Sequence, residues 1–191
     1  MRFNFSRIPA YQIKARLGYV CEKESFTNYE EACDYISRIC KGEMRNALSL
    51  LETCADYSTD FRIENVVSAI GNFSYDTYFD LTNSIIDGDV DTALRIVTDI
   101  YNNGNDLSYF VTSFLSFIID VTKYIICKDI SVTKFPTSLG EKLKFATGIS
   151  DASKYYMYME DKLLELKNMI KNDIDIKSTV EVVITQMCRL V

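Results

Sequence analysis

Arg45 is the side chain whose place in this sequence argues most directly for chemistry. It stands in the segment Gly42-Glu43-Met44-Arg45-Asn46-Ala47-Leu48-Ser49-Leu50-Leu51-Glu52. A helix-ending glycine is followed there by an apolar run of helical spacing, so Arg45 falls in the first turn of a helix. The plainest account of it is an exposed arginine at a helical turn. That account is awkward, because a cation at a helix N-terminus opposes the macrodipole by some tenths of a kcal/mol. An anion arriving there explains the arginine better. The planar guanidinium fork and the positive helix end both suit phosphate.

Other chemistry is poorly represented. The chain has no histidine, which excludes Ser-His-Asp and Cys-His arrangements and every zinc site that needs imidazole. Cys21, Cys33, Cys40, Cys54, Cys127 and Cys188 contain no C-x-x-C pair and read as reduced, mostly buried thiols. Cys33 and Cys40 are two helical turns apart, on one face, as core packing requires. Asp87-Gly88-Asp89-Val90-Asp91 resembles the opening of a calcium loop. Thr92 and Thr98 occupy the positions where that loop needs Gly and Glu, so the segment reads as a helix–helix turn with Asp capping. Glu160 and Asp161 fall on a helix face where charge is solvated. Tyr155, Tyr156 and Tyr158 could stack bases, but without basic neighbours in excess they suit helix packing or an interface. Neither G-x-x-x-x-G-K-[ST] nor G-x-G-x-x-G occurs. The sequence thus offers no catalytic residue, no metal ligands and no nucleotide cradle of its own.

The elements that position Arg45 follow from composition and periodicity. The 191 residues suit one domain or two small ones, with 48% hydrophobic and 25% charged residues. Only 7 Gly and 2 Pro interrupt them, so long helices are expected rather than a turn-rich β fold. The formal charge of -6 makes a poor general partner for DNA or anionic membranes. Leu107 to Cys127 is long and apolar, but Asp120 and Lys123 within it suit a core helix better than a bilayer span. The start, MRFNFSRIPA, lacks the apolar stretch of a signal peptide, and a cytoplasmic protein is expected.

Helices are predicted over Arg7–Lys23 with Pro9 in the first turn, from Thr27 or Asn28 as cap to Gly42, and from Glu43 to about Tyr57. In the third, Met44, Leu48, Leu51 and Ala55 should face one way. Further helices are predicted at Ile63–Ile70, Tyr75–Asp87, Val90–Asn102, Asp106–Lys128, Leu139–Thr147, Ala152–Lys171 and Ile176–Leu190, with a loop at Ser131–Ser138. Phe3 to Phe5 alone could be a strand end.

The segment around Arg45 resembles the sensor-2 motif of the gamma/tau subunit of the bacterial DNA polymerase III clamp loader, whose pattern is close to G-S-M-R-D-A-L-S-L-L-D. Arg2-Phe3-Asn4-Phe5-Ser6-Arg7-Ile8 resembles the R-F-D-F-x-R-I stretch that leads from the AAA+ ATPase domain into the lid. Ile63 to Gly71, IENVVSAIG, is similar to the start of the family's third domain. The resemblance implies an all-α chain: a three-helix AAA+ lid over residues 1–60, then a helical collar domain over 61–191 through which clamp-loader subunits form a ring. It also implies that Arg45 senses the phosphates of ATP held by the ATPase domain, with Gly42, Met44 and Asn46 supporting the sensor-2 helix. Asn46 replaces the family's usual Asp and carries no charge, and Glu52 stands where Asp is common.

Walker A, Walker B and the zinc-binding cysteines of the ATPase domain are absent from these 191 residues. The expectation is therefore a non-catalytic chain with no cofactor of its own, ATP and magnesium belonging to the full-length protein. It would partner other clamp-loader subunits, meet the sliding clamp and DNA only indirectly, and avoid membranes. It would be a fragment of a longer protein or a natural remnant. The alternative is a stand-alone helical interaction protein docking on a clamp loader or another AAA+ machine. An enzyme in its own right is the third reading, and the missing histidines and glycine-rich loop oppose it.

Overall fold

The computed structural model describes residues 6–71 and 73–189. The stretch Arg2 to Phe5, part of the resemblance above and of the expected strand end, lies outside the described residues. Ten α-helices and three short 3-10 turns are present among the described residues, and no strand. The helices are α1 (Ala10–Lys23), α2 (Tyr29–Ile39), α3 (Met44–Tyr57), α4 (Ile63–Ala69), α5 (Tyr75–Ile86), α6 (Val90–Asn102), α7 (Leu107–Cys127), α8 (Gly140–Thr147), α9 (Ala152–Met169) and α10 (Ile176–Cys188). Two units form: Met1–Asn72 with Lys134–Gly140, and Phe73–Thr133 with Glu141–Val191.

In the first unit α1 packs on α2 and α3, and α4 packs on α3 and α2. By contacts, α4 thus groups with α1 to α3. Ile13, Leu17 and Cys21 of α1 and Ala32, Cys33 and Ile36 of α2 are all buried in the core of this unit. On α3 the buried stripe is Ala47, Leu51 and Cys54, whereas Leu48 is 37% exposed. The expected stripe of Met44, Leu48, Leu51 and Ala55 is thus corrected by a rotation of the helix. Two aliphatic rows share this helix, and tertiary packing chose the one with small residues.

Asn28 is a second correction. It occupies the N-cap position of α2 but has φ 55, and its side chain caps nothing there. Instead its Nδ2 donates to Asp60 Oδ1 at 2.9 Å. Beside it Thr27 N donates to Thr59 O and Phe61 N to Thr27 O, an isolated bridge that closes the unit. Pro9 sits just ahead of α1, where its carbonyl accepts from Gln12 N and Ile13 N.

The expected loop Ser131–Ser138 contains two 3-10 turns, Ile130–Val132 and Thr137–Leu139. Its second half belongs to the first unit. Phe135 is buried there, Arg38 Nη1 donates to its carbonyl at 3.0 Å, and Ser138 N donates to Glu31 Oε1 at 2.8 Å.

In the second unit α7 packs on α9, and α10 packs on α6, α9 and α5. By length and composition α7 could cross a membrane, yet 56% of its most apolar stretch is buried inside the protein. Asp120 on it is buried and accepts from Lys123 Nζ at 2.7 Å, so the two charges in this helix neutralise each other locally. Phe110, Phe114 and Phe117 form a ladder along α7, and Tyr78 of α5 stacks on all three.

Carboxylates start three of these helices. Asp106 Oδ1 accepts from Ser108 N at 2.7 Å and Tyr109 N at 3.3 Å at the head of α7. Asp106→Ala should lower stability by about 1 kcal/mol, read from the midpoint of urea denaturation. Asp89 caps α6 and Asp175 caps α10 in the same way. Hydrogen bonds from Thr92 and Ser178 respectively hold these carboxyls below the usual carboxylate range, and Thr179 does so for Asp173. A lowered folded-state pKa means the stabilisation is complete above the unfolded pKa and is lost as pH falls through the folded one. Denaturation midpoints should therefore drop on acidification below the ordinary carboxylate pKa, and Asp175→Asn should flatten that dependence.

Candidate anion-sensing turn at the start of α3

After α2 the chain turns through two left-handed residues, Lys41 (φ 56) and Gly42 (φ 80). Glu43 N returns to Cys40 O at 3.1 Å, and α3 begins at Met44. Gly42 is needed on two counts. Its φ is unfavourable for L side chains, and the segment before α1 crosses directly over it. Ile8 N donates to Gly42 O at 3.1 Å, and a Cβ built on Gly42 would lie 2.7 Å from Arg7 Cβ. Gly42→Ala should therefore destabilise the first unit by at least about 1–2 kcal/mol, the cost of the left-handed conformation alone, in chemical denaturation.

Glu43 occupies the N-cap of α3, but its side chain makes no capping hydrogen bond, and the first turn contains no acidic residue. Nothing acidic in that turn neutralises the positive end of the helix macrodipole. Arg45 and Asn46 are exposed at this end, Met44 is half-buried, and Arg45 makes no ion pair or hydrogen bond among the described residues. Ala47 and Leu51 fix the helix from below. Of the four residues singled out in the sequence, Gly42 shapes the turn, Met44 packs partly against the unit, and Arg45 and Asn46 face outward. Arg7 was not among them. It is exposed, and its stem packs on Gly42. That contact joins positions 35 residues apart in sequence, and no local signal announces it.

The other candidates behave as core or surface. Five of the six cysteines are buried and Cys127 is exposed. Among the described residues no group of three or more Cys, Asp or Glu could hold a metal ion. Tyr156 is fully buried, and burial pushes its phenol well above the usual tyrosine range, so it belongs to the core and not to a base-stacking platform.

Residues 61–150 match the model of the family described as DNA polymerase III subunits gamma and tau domain III. The chain carries a gamma/tau-like collar segment. It is 24% identical over 132 residues to DNA polymerase III subunit gamma/tau of Mycoplasma genitalium, covering 68% of this chain and 22% of that protein. It is 27% identical over 124 residues to DNA polymerase III subunit tau of Bacillus subtilis, covering 64% and 22%. It is 25% identical over 134 residues to replication factor C subunit 2 of Oryza sativa, covering 66% and 40%. The chain thus spans about a fifth of the two bacterial relatives. The gamma/tau-like collar match begins at Phe61, so it takes in α4 and residues 134–140 of the first unit as well as α5 to α8 of the second.

Proposed function

We propose that this chain supplies the lid and collar of a gamma/tau-like clamp-loader subunit in DNA replication. The family match over residues 61–150 carries this reading, and the replication factor C relatives support it from a second branch. Residues 1–60 act as the lid and 61–191 as the collar. The collar joins neighbouring clamp-loader subunits into a ring, and the lid brings Arg45 to the phosphates of ATP and magnesium held by an ATPase domain outside these residues. An uncapped positive helix end with an exposed, unpaired arginine supports that role. Gly42 and Met44 hold the turn, and Asn46 lies beside the arginine without a charge of its own. The chain itself turns over no nucleotide. It works in the cytoplasm and meets the clamp and DNA only through its partners.

Affinity capture with this chain, read by mass spectrometry, tests the proposal. Clamp-loader subunits should be recovered with it. Recovery of an unrelated machine, or of nothing, would overturn the assembly role.

A further inference from the structure

Cys21 lies in the last turn of α1 and Cys33 in the first half of α2. Their Sγ atoms are 3.7 Å apart, in a thiol–thiol hydrogen bond, and both side chains are fully buried. The pair is unlike the other cysteines. Cys40 donates to the Ser37 carbonyl, Cys54 is buried on α3, Cys127 is exposed, and Cys188 belongs to the second unit. Two sulfurs in contact share one covalent chemistry, closure to a disulfide with the atoms at about 2.05 Å. The helices that carry them are packed neighbours, which holds the two sulfurs face to face.

We propose that Cys21 and Cys33 form a reversible disulfide latch that ties the end of α1 to the start of α2. The oxidant is a small-molecule disulfide. The Cys21 thiolate attacks one of its sulfurs, a new S–S bond forms, and the other half leaves as a thiolate that takes up a proton. The Cys33 sulfur, giving up its proton, then attacks Cys21 Sγ, and the second half leaves as a thiol. Two cysteine thiols lose two electrons in all, and one external disulfide is reduced to two thiols.

The order of attack follows from the pair's own hydrogen bond. The Cys33 S–H stabilises a thiolate on Cys21, which lowers the Cys21 pKa, while the same bond and burial raise that of Cys33. Access requires the last turn of α1 to open, and helix ends are where local opening costs least. The turn that follows contains two left-handed residues, Ser25 (φ 58) and Asn28 (φ 55). Once closed, the latch removes that opening and stiffens the unit that carries Arg45. The inference holds whether or not Arg45 meets a nucleotide.

The test uses the full chain with Cys127→Ser, which removes the exposed thiol, incubated with oxidised glutathione. Peptide mapping should show Cys21 linked to Cys33, with a mass about two units below the dithiol form and restored by a reductant. Hydrogen exchange in the last turn of α1 should slow in the linked form. Cys33→Ser, which keeps a hydrogen-bond donor for Cys21 but no second sulfur, should stop at a glutathione adduct on Cys21, with circular dichroism confirming that this variant folds. Two free thiols at positions 21 and 33 after oxidation, or linkage of either to Cys54 or Cys40, would overturn the latch.

Discussion

Phe114→Ala lowers the stability of the second unit by about 3–5 kcal/mol, the range for removing a buried aromatic side chain. Phe114 is 1% exposed on α7. Its ring lies 5.8 Å from Phe110, 6.2 Å from Phe117 and 5.9 Å from Tyr78, centroid to centroid. Alanine leaves a cavity that all three neighbours line. They cannot refill it independently, because each is fixed by another ring: Phe110 by Phe73 at 4.8 Å, and Phe117 by Phe79 at 5.1 Å. Phe114→Leu retains most of the apolar volume and should cost about 1–2 kcal/mol, the ring-specific part being about 0.5–1.5. Hydrogen exchange should show the loss concentrated in α5 and α7, with a lowered midpoint in urea. A loss below about 1.5 kcal/mol for Phe114→Ala would mean that the ladder does not organise the unit.

Periodicity made most of the helices legible. Gly88 and Gly104 bracket Val90–Asn102, and the helix runs between those residues as the sequence suggests. The i, i+4, i+7 spacing of Phe110, Phe114 and Phe117 lies open in the sequence. Tyr78, the ring that makes it a ladder, lies some thirty residues upstream and is placed only by tertiary packing. The α3 stripe failed for a related reason. Leu48 and Ala47 are adjacent, and local pattern cannot say which row meets α1. Asn28 has the chemistry of a cap, but the bridge between Thr27 and Phe61 sets its backbone and gives its amide to Asp60. The turn around Gly42 was legible from helix-ending glycine and first-turn arginine. The crossing of Arg7 over that glycine, the burial of Phe135 among residues a hundred positions away, and the Cys21–Cys33 contact were not, since each is a non-local pairing with no local signature.

Under the proposed function, Arg45→Ala in any polypeptide that joins this chain to an ATPase domain should impair ATP-dependent clamp loading by about 10–100-fold, the worth of a hydrogen bond to a charged group of about 1.5–3 kcal/mol. It should leave the fold intact. The side chain is exposed and without a partner among the described residues, so its removal breaks nothing inside the unit. It even relieves the cation's opposition to the helix dipole, and the thermal midpoint should hold or rise slightly. Arg45→Lys discriminates further. It keeps the charge but loses the bidentate fork, so a phosphate contact predicts partial activity, whereas general charge attraction predicts full activity. Asn46→Asp is the complementary variant. A carboxylate in the first turn favours the helix but places a negative charge beside the arriving phosphates. Weaker ATP coupling with higher stability would locate the anion at this end of α3. Unchanged loading by Arg45→Ala would remove the nucleotide role and leave the collar as the functional part of the chain.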